Sequence, residues 1–385
     1  MLSINLAYSK QKVKNIWFHL FLSLYLIATY LNSSMLVYKI PVGAVTYFLF
    51  FVSLFLLLRA FLFEEFRFQE IIIIIFWLVL TFGIAYKLGN IRIFTDSLVI
   101  VSCKGISFKK IVKNYVIVSF AFLFFISVFS RIGFVPDLIF YRDGSARHSL
   151  GLMYPTVYSA RVFFLLLGYL YLRGKNIKLL EVIFLLGLSY LLLEVTGGRL
   201  DSYLLIMAII LFYLFSKINV HLIKIFSLIA CFAPFIGATL SYYSALAYNN
   251  MNPLHVKINN LFSARLFLGH WALSLYKPLP FGQIVYEQGN GGLEGYNNIA
   301  NLYFFIDSSY LSILLKNGWI FFVALLLLLT YKLFSLYKSK KYYLILAWSF
   351  VCINSMVATY LYSVPANIFI LFLFSNLENE QKFKQ

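Results

Sequence analysis

Charge is what this chain has least of: 12% of its 385 residues are Asp, Glu, Lys or Arg, against roughly 25% in soluble domains. With 62% hydrophobic and 20% aromatic residues and a mean hydropathy of +0.85, it cannot hide its apolar surface in a water-soluble core. Acids are scarcest, 14 against 32 basic residues, so few carboxylates remain for proton transfer. The three cysteines, Cys103, Cys231 and Cys352, fall in or beside apolar runs without metal-ligand spacing and read as packing residues. There is no Asp-x-Asp pair for a metal-bound nucleotide sugar, no G-x-x-x-x-G-K-[ST] and no H-E-x-x-H. No small-residue cleavage site follows the first apolar run, which is expected to stay as the first helix.

What the chain does have is apolar runs, at residues 16–32, 40–58, 71–86, 93–103, 115–129, 157–172, 179–195, 203–215, 223–240, 319–336, 342–362 and 365–377. A straight helical crossing needs about 20 residues, and the fourth and twelfth runs fall well short. The expectation is an all-α, polytopic membrane bundle of about twelve transmembrane helices, forming one domain over 1–385. With the N-terminus inside, about 20 of the 32 cations fall on the inner side, among them Lys104, Lys109, Lys110, Lys113, Arg173, Lys338, Lys382 and Lys384. Lys and Arg gather in short cytoplasmic loops, so both termini are expected in the cytoplasm. The net charge of +18 then reports topology, and nucleic acid is not expected as a partner.

Three polar segments face outward: 131–156, the turn at 197–202, and a large extracytoplasmic loop at 242–316. The first contains Tyr141-Arg142-Asp143-Gly144-Ser145-Ala146-Arg147-His148 and ends at Pro155, a residue suited to begin a helix. Arginine grips phosphate with two parallel hydrogen bonds and keeps its charge, and a helix start adds free N–H groups. A solvated loop accounts for the same residues. The second, Glu194-Val195-Thr196-Gly197-Gly198-Arg199-Leu200-Asp201, holds an arginine at the membrane boundary. There it snorkels to headgroups, pairs with Glu194 or Asp201, or meets an anionic ligand.

The third segment carries His255, Lys257, Arg265, His270, Lys277, Glu287, Glu294 and Asp307. Residues 261–277 are expected to form an amphipathic helix with Arg265 on its polar side, and 283–296 a flexible connector or lid. Asp307 precedes Ser308 and Ser309 at the start of a re-entering helix that bears Tyr310. It is either a helix cap or a base whose pKa burial must raise against nearby arginines.

These residues resemble the Wzy-type O-antigen and capsular polysaccharide repeat-unit polymerases, especially those of Gram-positive exopolysaccharide clusters, over most of the chain. Arg147-His148-Ser149-Leu150-Gly151-Leu152-Met153-Tyr154-Pro155 is similar to the family's R-x-S-[LF]-G-[FL]-x-H-P-N run, and Gly197-Gly198-Arg199 to its [ST]-G-[GS]-R turn. Ser263-Ala264-Arg265 followed by Phe281-Gly282 resembles its S-[GA]-R and F-G pattern. Asp307-Ser308-Ser309-Tyr310-Leu311 through Lys316-Asn317-Gly318 resembles its D-N-x-Y-L and K-x-G. Tyr154, Thr156 and Ser308 depart from the family's His, Asn and Asn, so no role is carried to them.

The resemblance implies a GT-C-like bundle related to the O-antigen ligases, which carry a histidine where Asp307 stands. It implies transfer of a growing glycan from undecaprenyl pyrophosphate to a sugar hydroxyl of an incoming lipid-linked unit, at the outer face of a bacterial plasma membrane. No cofactor or metal is implied; the partners are the lipid-linked oligosaccharide, membrane lipid, a flippase and a chain-length regulator. The expected pyrophosphate and glycan contacts are Arg147, Arg199 and Arg265, with Arg142 and Tyr310 beside them; Asp307 is the expected base and His148 its runner-up. Rival readings are an O-antigen-type ligase, a lipid-linked oligosaccharide flippase or other transporter, and a scaffold. A transporter calls for mid-membrane charges and repeats between halves, whereas the charges here crowd one face and no repeat is visible.

Overall fold

Backbone in hydrocarbon must satisfy its own N–H and C=O groups, which long apolar stretches achieve by coiling into helices. The computed structural model describes residues 2–41, 43–297 and 303–377; Lys382, Lys384 and residues 298–302 of the long loop lie outside the described residues. Five helices come first: α1 (Leu2–Asn32), α2 (Ala44–Phe63), α3 (Phe68–Leu88), α4 (Arg92–Ser102) and α5 (Phe108–Arg131). A hairpin, β1 (Ile139–Arg142) and β2 (Ser145–His148), precedes α6 (Pro155–Arg173), α7 (Leu179–Thr196), α8 (Arg199–Phe215), α9 (Val220–Ala230) and α10 (Ala233–Leu246). The long loop holds α11 (Pro253–Leu261), α12 (Arg265–Leu275), α13 (Gly292–Asn297) and α14 (Ser309–Ser312), and the chain closes with α15 (Trp319–Lys338) and α16 (Tyr342–Ser355).

The all-α membrane character holds. Among the described residues, six helices are long and apolar enough to cross a membrane: α2, α3, α5, α6, α7 and α15. The pair α9 and α10, bent by 50°, makes a seventh if taken as one span. All twelve apolar runs coincide with helices or buried segments, but the count of twelve long helices is not reproduced. Part of the reason is that three runs, those of α4, α16 and residues 365–377, lie inside the protein. α16 has 14 residues, all buried except Ile353. The last run, 365–377, contains Pro365, which removes a backbone donor. It forms only a 3-10 helix over Ile368–Leu373, with every residue fully buried. Irregular backbone survives at membrane depth only where protein surrounds it, and here α4, α5 and α15 pack against it, with Trp348 of α16 and Phe372 in ring contact at 4.9 Å.

One end of the bundle is tied by charge. Lys14 Nζ reaches Glu64 Oε1 at 2.8 Å, Arg59 Nη1 donates to the carbonyl of Lys104 at 2.9 Å, and Lys104 pairs with Glu70. The Asn376 N–H bonds the Ile106 carbonyl at 2.8 Å at the same end. The start of α1 and the end of the described chain therefore share one face, and α5 begins there with Lys109 and Lys110 before running to the hairpin at the other face.

At that other face the long loop is pinned. Gln288 and Phe304 exchange backbone hydrogen bonds of 2.8 and 3.1 Å, and Glu287 accepts from Ile306 N at 2.9 Å and Lys316 Nζ at 2.5 Å. Gly282 and Gly318, both with positive φ, bring two backbones into contact: a Cβ on Gly282 would stand 1.8 Å from the Lys316 carbonyl oxygen. Only glycine fits such an approach. The segment expected as a flexible connector or lid, 283–296, is docked, its Leu293 N–H bonded to Tyr38 Oη at 2.9 Å and its Gly292 N–H to the Met153 carbonyl at 2.9 Å. The expected helix over 261–277 forms over Arg265–Leu275, starting four residues later. Ser263 and Ala264 take left-handed φ values of 53° and 65°, which end α11 and let α12 start at Arg265.

Candidate functional site

A cavity of about 310 Å³ opens at the face that holds the hairpin, the α7–α8 turn and the long loop. Arg142, Arg199, Arg265 and Asp307, four of the seven residues expected from sequence, line it together with Asp201, Tyr303 and Tyr360.

The hairpin delivers the first arginine. Asp143 and Gly144 have φ of 53° and 76°, the doubly left-handed turn that Asp-Gly favours and that matches strand twist. Arg142 Nη2 then donates to the Gly197 carbonyl at 2.6 Å, and Arg147 Nε to the Thr196 carbonyl at 3.0 Å. These are carbonyls at the end of α7, where a helix favours cations. Gly197, at φ 56°, turns the chain out of α7, and a Cβ there would stand 2.8 Å from Arg147 Nε. The next residue but one, Arg199, begins α8 and pairs with Asp143 at 2.8 Å, with side-chain exposures of 48% and 67%. So exposed a pair contributes little, and an anionic ligand can displace Asp143. Burial holds the Arg142 pKa below its ordinary value, and the charges of Arg147 and Arg199 push the same way. Three crowded guanidinium groups are relieved by an anion.

Arg265 comes from the break before α12. Left-handed non-glycine residues cost roughly 1–2 kcal/mol each and gather at functional sites; here two in succession aim the side chain at residues 357–360. Arg265 Nε donates to the Val357 carbonyl at 2.7 Å and stands 3.5 Å from Asp307 Oδ2. The cap of α14 is Ser308, whose Oγ accepts the Leu311 N–H, so Asp307 is left to face the cavity. Burial raises the Asp307 pKa, Arg265 draws it back, and the charge of Glu287 adds to the rise. A carboxylate so placed is a better base than an ordinary aspartate.

Three expected residues do not line the cavity. Arg147 lies beneath it, 5% exposed, with Nη2 lacking a hydrogen-bond partner and its guanidinium 5.7 Å from the Tyr154 ring. It supports the Gly197 turn. Tyr310 is 1% exposed, packed on Gly237 with its hydroxyl 3.3 Å from the Cys352 carbonyl. His148 is held by Asp137, Nδ1 to Oδ2 2.6 Å, and Asp137 also accepts the Leu150 N–H at 2.8 Å. His148 therefore braces the hairpin base and lies outside the cavity lining. His148→Ala is expected to cost about 1 kcal/mol of stability, read as a lower thermal midpoint in detergent. An unchanged midpoint would show that the contact with Asp137 does not brace the hairpin.

The sequence reading missed several contributors. Asp201, taken as a partner for Arg199, turns the other way and accepts from Ser159 Oγ and from Asn354 Nδ2 at 2.9 Å. Residues 357–360 form a wall of the cavity, although 342–362 reads as one apolar run. The helix ends at Ser355. Arg161 is 4% exposed in the middle of α6, 4.7 Å from the Tyr30 ring, with Nε and Nη1 unpartnered. A lone arginine inside an apolar run is itself a functional flag.

Among the described residues no group of three or more His, Cys, Asp or Glu is placed to hold a metal ion. Comparison with protein-family models, with curated proteins and with solved structures gives no match for this chain.

Proposed function

We propose that the chain is a membrane glycosyltransferase that polymerises undecaprenyl-pyrophosphate-linked repeat units. The observation that carries this is the meeting of Arg142, Arg199 and Arg265, from three segments far apart in sequence, with Asp307 in one cavity. The motif resemblance falls on the same places: the turn before Arg199, the break before Arg265, and the Gly282–Gly318 contact below Asp307.

In the reaction, the bond from the anomeric carbon of the growing chain to its pyrophosphate oxygen breaks. The lipid pyrophosphate leaves with the electron pair, the acceptor hydroxyl oxygen bonds to that carbon, and its proton passes to Asp307. Arginines aimed at the leaving group stabilise the charge that develops there, so the chemistry needs no cofactor. Carboxylate positioning supplies the rest.

In this GT-C-like arrangement the twelve apolar runs are twelve crossings, with α4 and residues 365–377 crossing inside the protein. Both termini are cytoplasmic and the cavity opens on the outer leaflet of a bacterial plasma membrane, walled by the 242–316 loop. A flippase delivers the lipid-linked units and a chain-length regulator limits the product. Cells lacking the protein are expected to accumulate single lipid-linked units on the outer leaflet and to make no long chains. Units trapped on the inner leaflet would identify a flippase instead, and long chains missing only their final attachment would identify a ligase.

A further inference from the structure

A second cavity of about 290 Å³ lies against the first, and Thr359 and Tyr360 line both. Apart from Leu88, Ile93 and Ile313, every residue lining it is polar. Its charges are partly answered within the protein. Lys316 is paired with Glu287 at 2.5 Å and Asp96 accepts from Tyr25 Oη at 2.8 Å, while Arg92 stands four residues before Asp96 on α4, one helical turn away. An entering ligand meets chiefly hydroxyls, amides and the rings of Tyr360 and Tyr362. That surface suits an uncharged polyol, since tyrosine offers an apolar face with a polar tip, while the first cavity crowds arginines and suits an anion.

The two cavities are joined through one short stretch of chain. Asp307 lines the first and Ser309, two residues on, lines the second. Ser309 holds the two walls together: its N–H donates to the Ala358 carbonyl at 3.2 Å, and its Oγ accepts the Leu361 N–H at 3.1 Å. We propose that the second cavity binds a sugar residue of the acceptor unit, so that the acceptor hydroxyl meets Asp307 at the Thr359–Tyr360 boundary. This rests on the reading of the first cavity as the pyrophosphate site. It assigns the two substrates to separate chambers, with the bond forming between them.

The test uses full-length protein in detergent, lipid-linked repeat units, and labelled repeat-unit oligosaccharide freed from its lipid. Transfer of a growing chain to a hydroxyl of the free oligosaccharide puts the label into lipid-free polymer. Ser312→Trp fills the second cavity without touching the first. It is expected to raise the oligosaccharide concentration for half-maximal incorporation roughly tenfold or more, with inorganic pyrophosphate binding unchanged. An unchanged half-maximal concentration overturns the proposal, as does inhibition by the oligosaccharide without incorporation, which would put the donor glycan in this chamber. If Ser312→Trp loses pyrophosphate binding as well, the milder Ser363→Val decides by the same two readouts. Wild-type protein that binds no pyrophosphate and makes no polymer overturns the pyrophosphate reading, and the acceptor assignment with it.

Discussion

Arg265→Ala is expected to abolish long polymer while single lipid-linked repeat units are still made and exported. Arg265 is the only one of the cavity's three arginines that stands beside the proposed base, 3.5 Å from Asp307, so its charge acts on both halves of the reaction. Removing one preorganised donor to a developing negative charge costs about 10²–10³ in rate, roughly 2.7–4 kcal/mol. Arg265 also ties α12 to the Val357 carbonyl, and a structural loss must be told apart from a chemical one. Arg265→Lys keeps the charge without the fork, and partial activity is expected from it. Arg199→Ala gives an independent check, because Arg199 is half exposed and its ion pair is with Asp143. Its loss should leave the thermal midpoint in detergent within a few degrees of wild type, yet cost a similar factor in polymer formation. Chains of normal length from both alanine variants would remove the clamp assignment.

Asp307→Asn carries the second large effect, a fall of about 10²–10⁴ in transfer rate if the carboxylate takes the acceptor proton. The sign of the pH dependence follows. The base must be deprotonated, so activity rises with pH through the Asp307 pKa. Burial and Glu287 hold that pKa above the ordinary aspartate value while Arg265 opposes them. The acid limb of kcat/KM should therefore lie above the usual aspartate range of about 4. Any residual activity of Arg265→Lys should keep the limb near its wild-type position, since the charge remains. Residual activity of Arg265→Ala should show it at higher pH, since the opposing charge is gone. A pH profile unchanged in Asp307→Asn would assign the limb to another group.

What could be read from the chain was its chemistry by residue type, and what could not was the geometry. Scarce charge and twelve apolar runs announced a membrane bundle, and the arginines in polar breaks pointed to an anion. The burial of α16 was invisible, because hydropathy does not separate a helix facing lipid from one wrapped in other helices. For the same reason the turn at 357–360, whose Thr359 and Tyr360 line both cavities, went unseen. Asp143-Gly144 is a strong hairpin signal, and it alone would have shown that Arg142 and Arg147 sit on paired strands. Their neighbours differ even so: Arg142 lines the cavity while Arg147 is buried under it. That His148 stands outside the cavity lining was not legible, because its partner, Asp137, lies eleven residues upstream, a contact that no local pattern encodes. Asp307 lines the cavity because Ser308, directly after it, is a competent cap and leaves the aspartate unneeded at the helix start.

The central claim is that this protein alone joins lipid-linked repeat units, using charge supplied by its own arginines. Purified protein incubated in detergent with such units, without nucleotide and in the presence of a chelator, measures this directly when the products are resolved by size. A ladder of lipid-linked chains spaced by one repeat unit is the predicted result. Units that remain single after prolonged incubation with folded protein would contradict it.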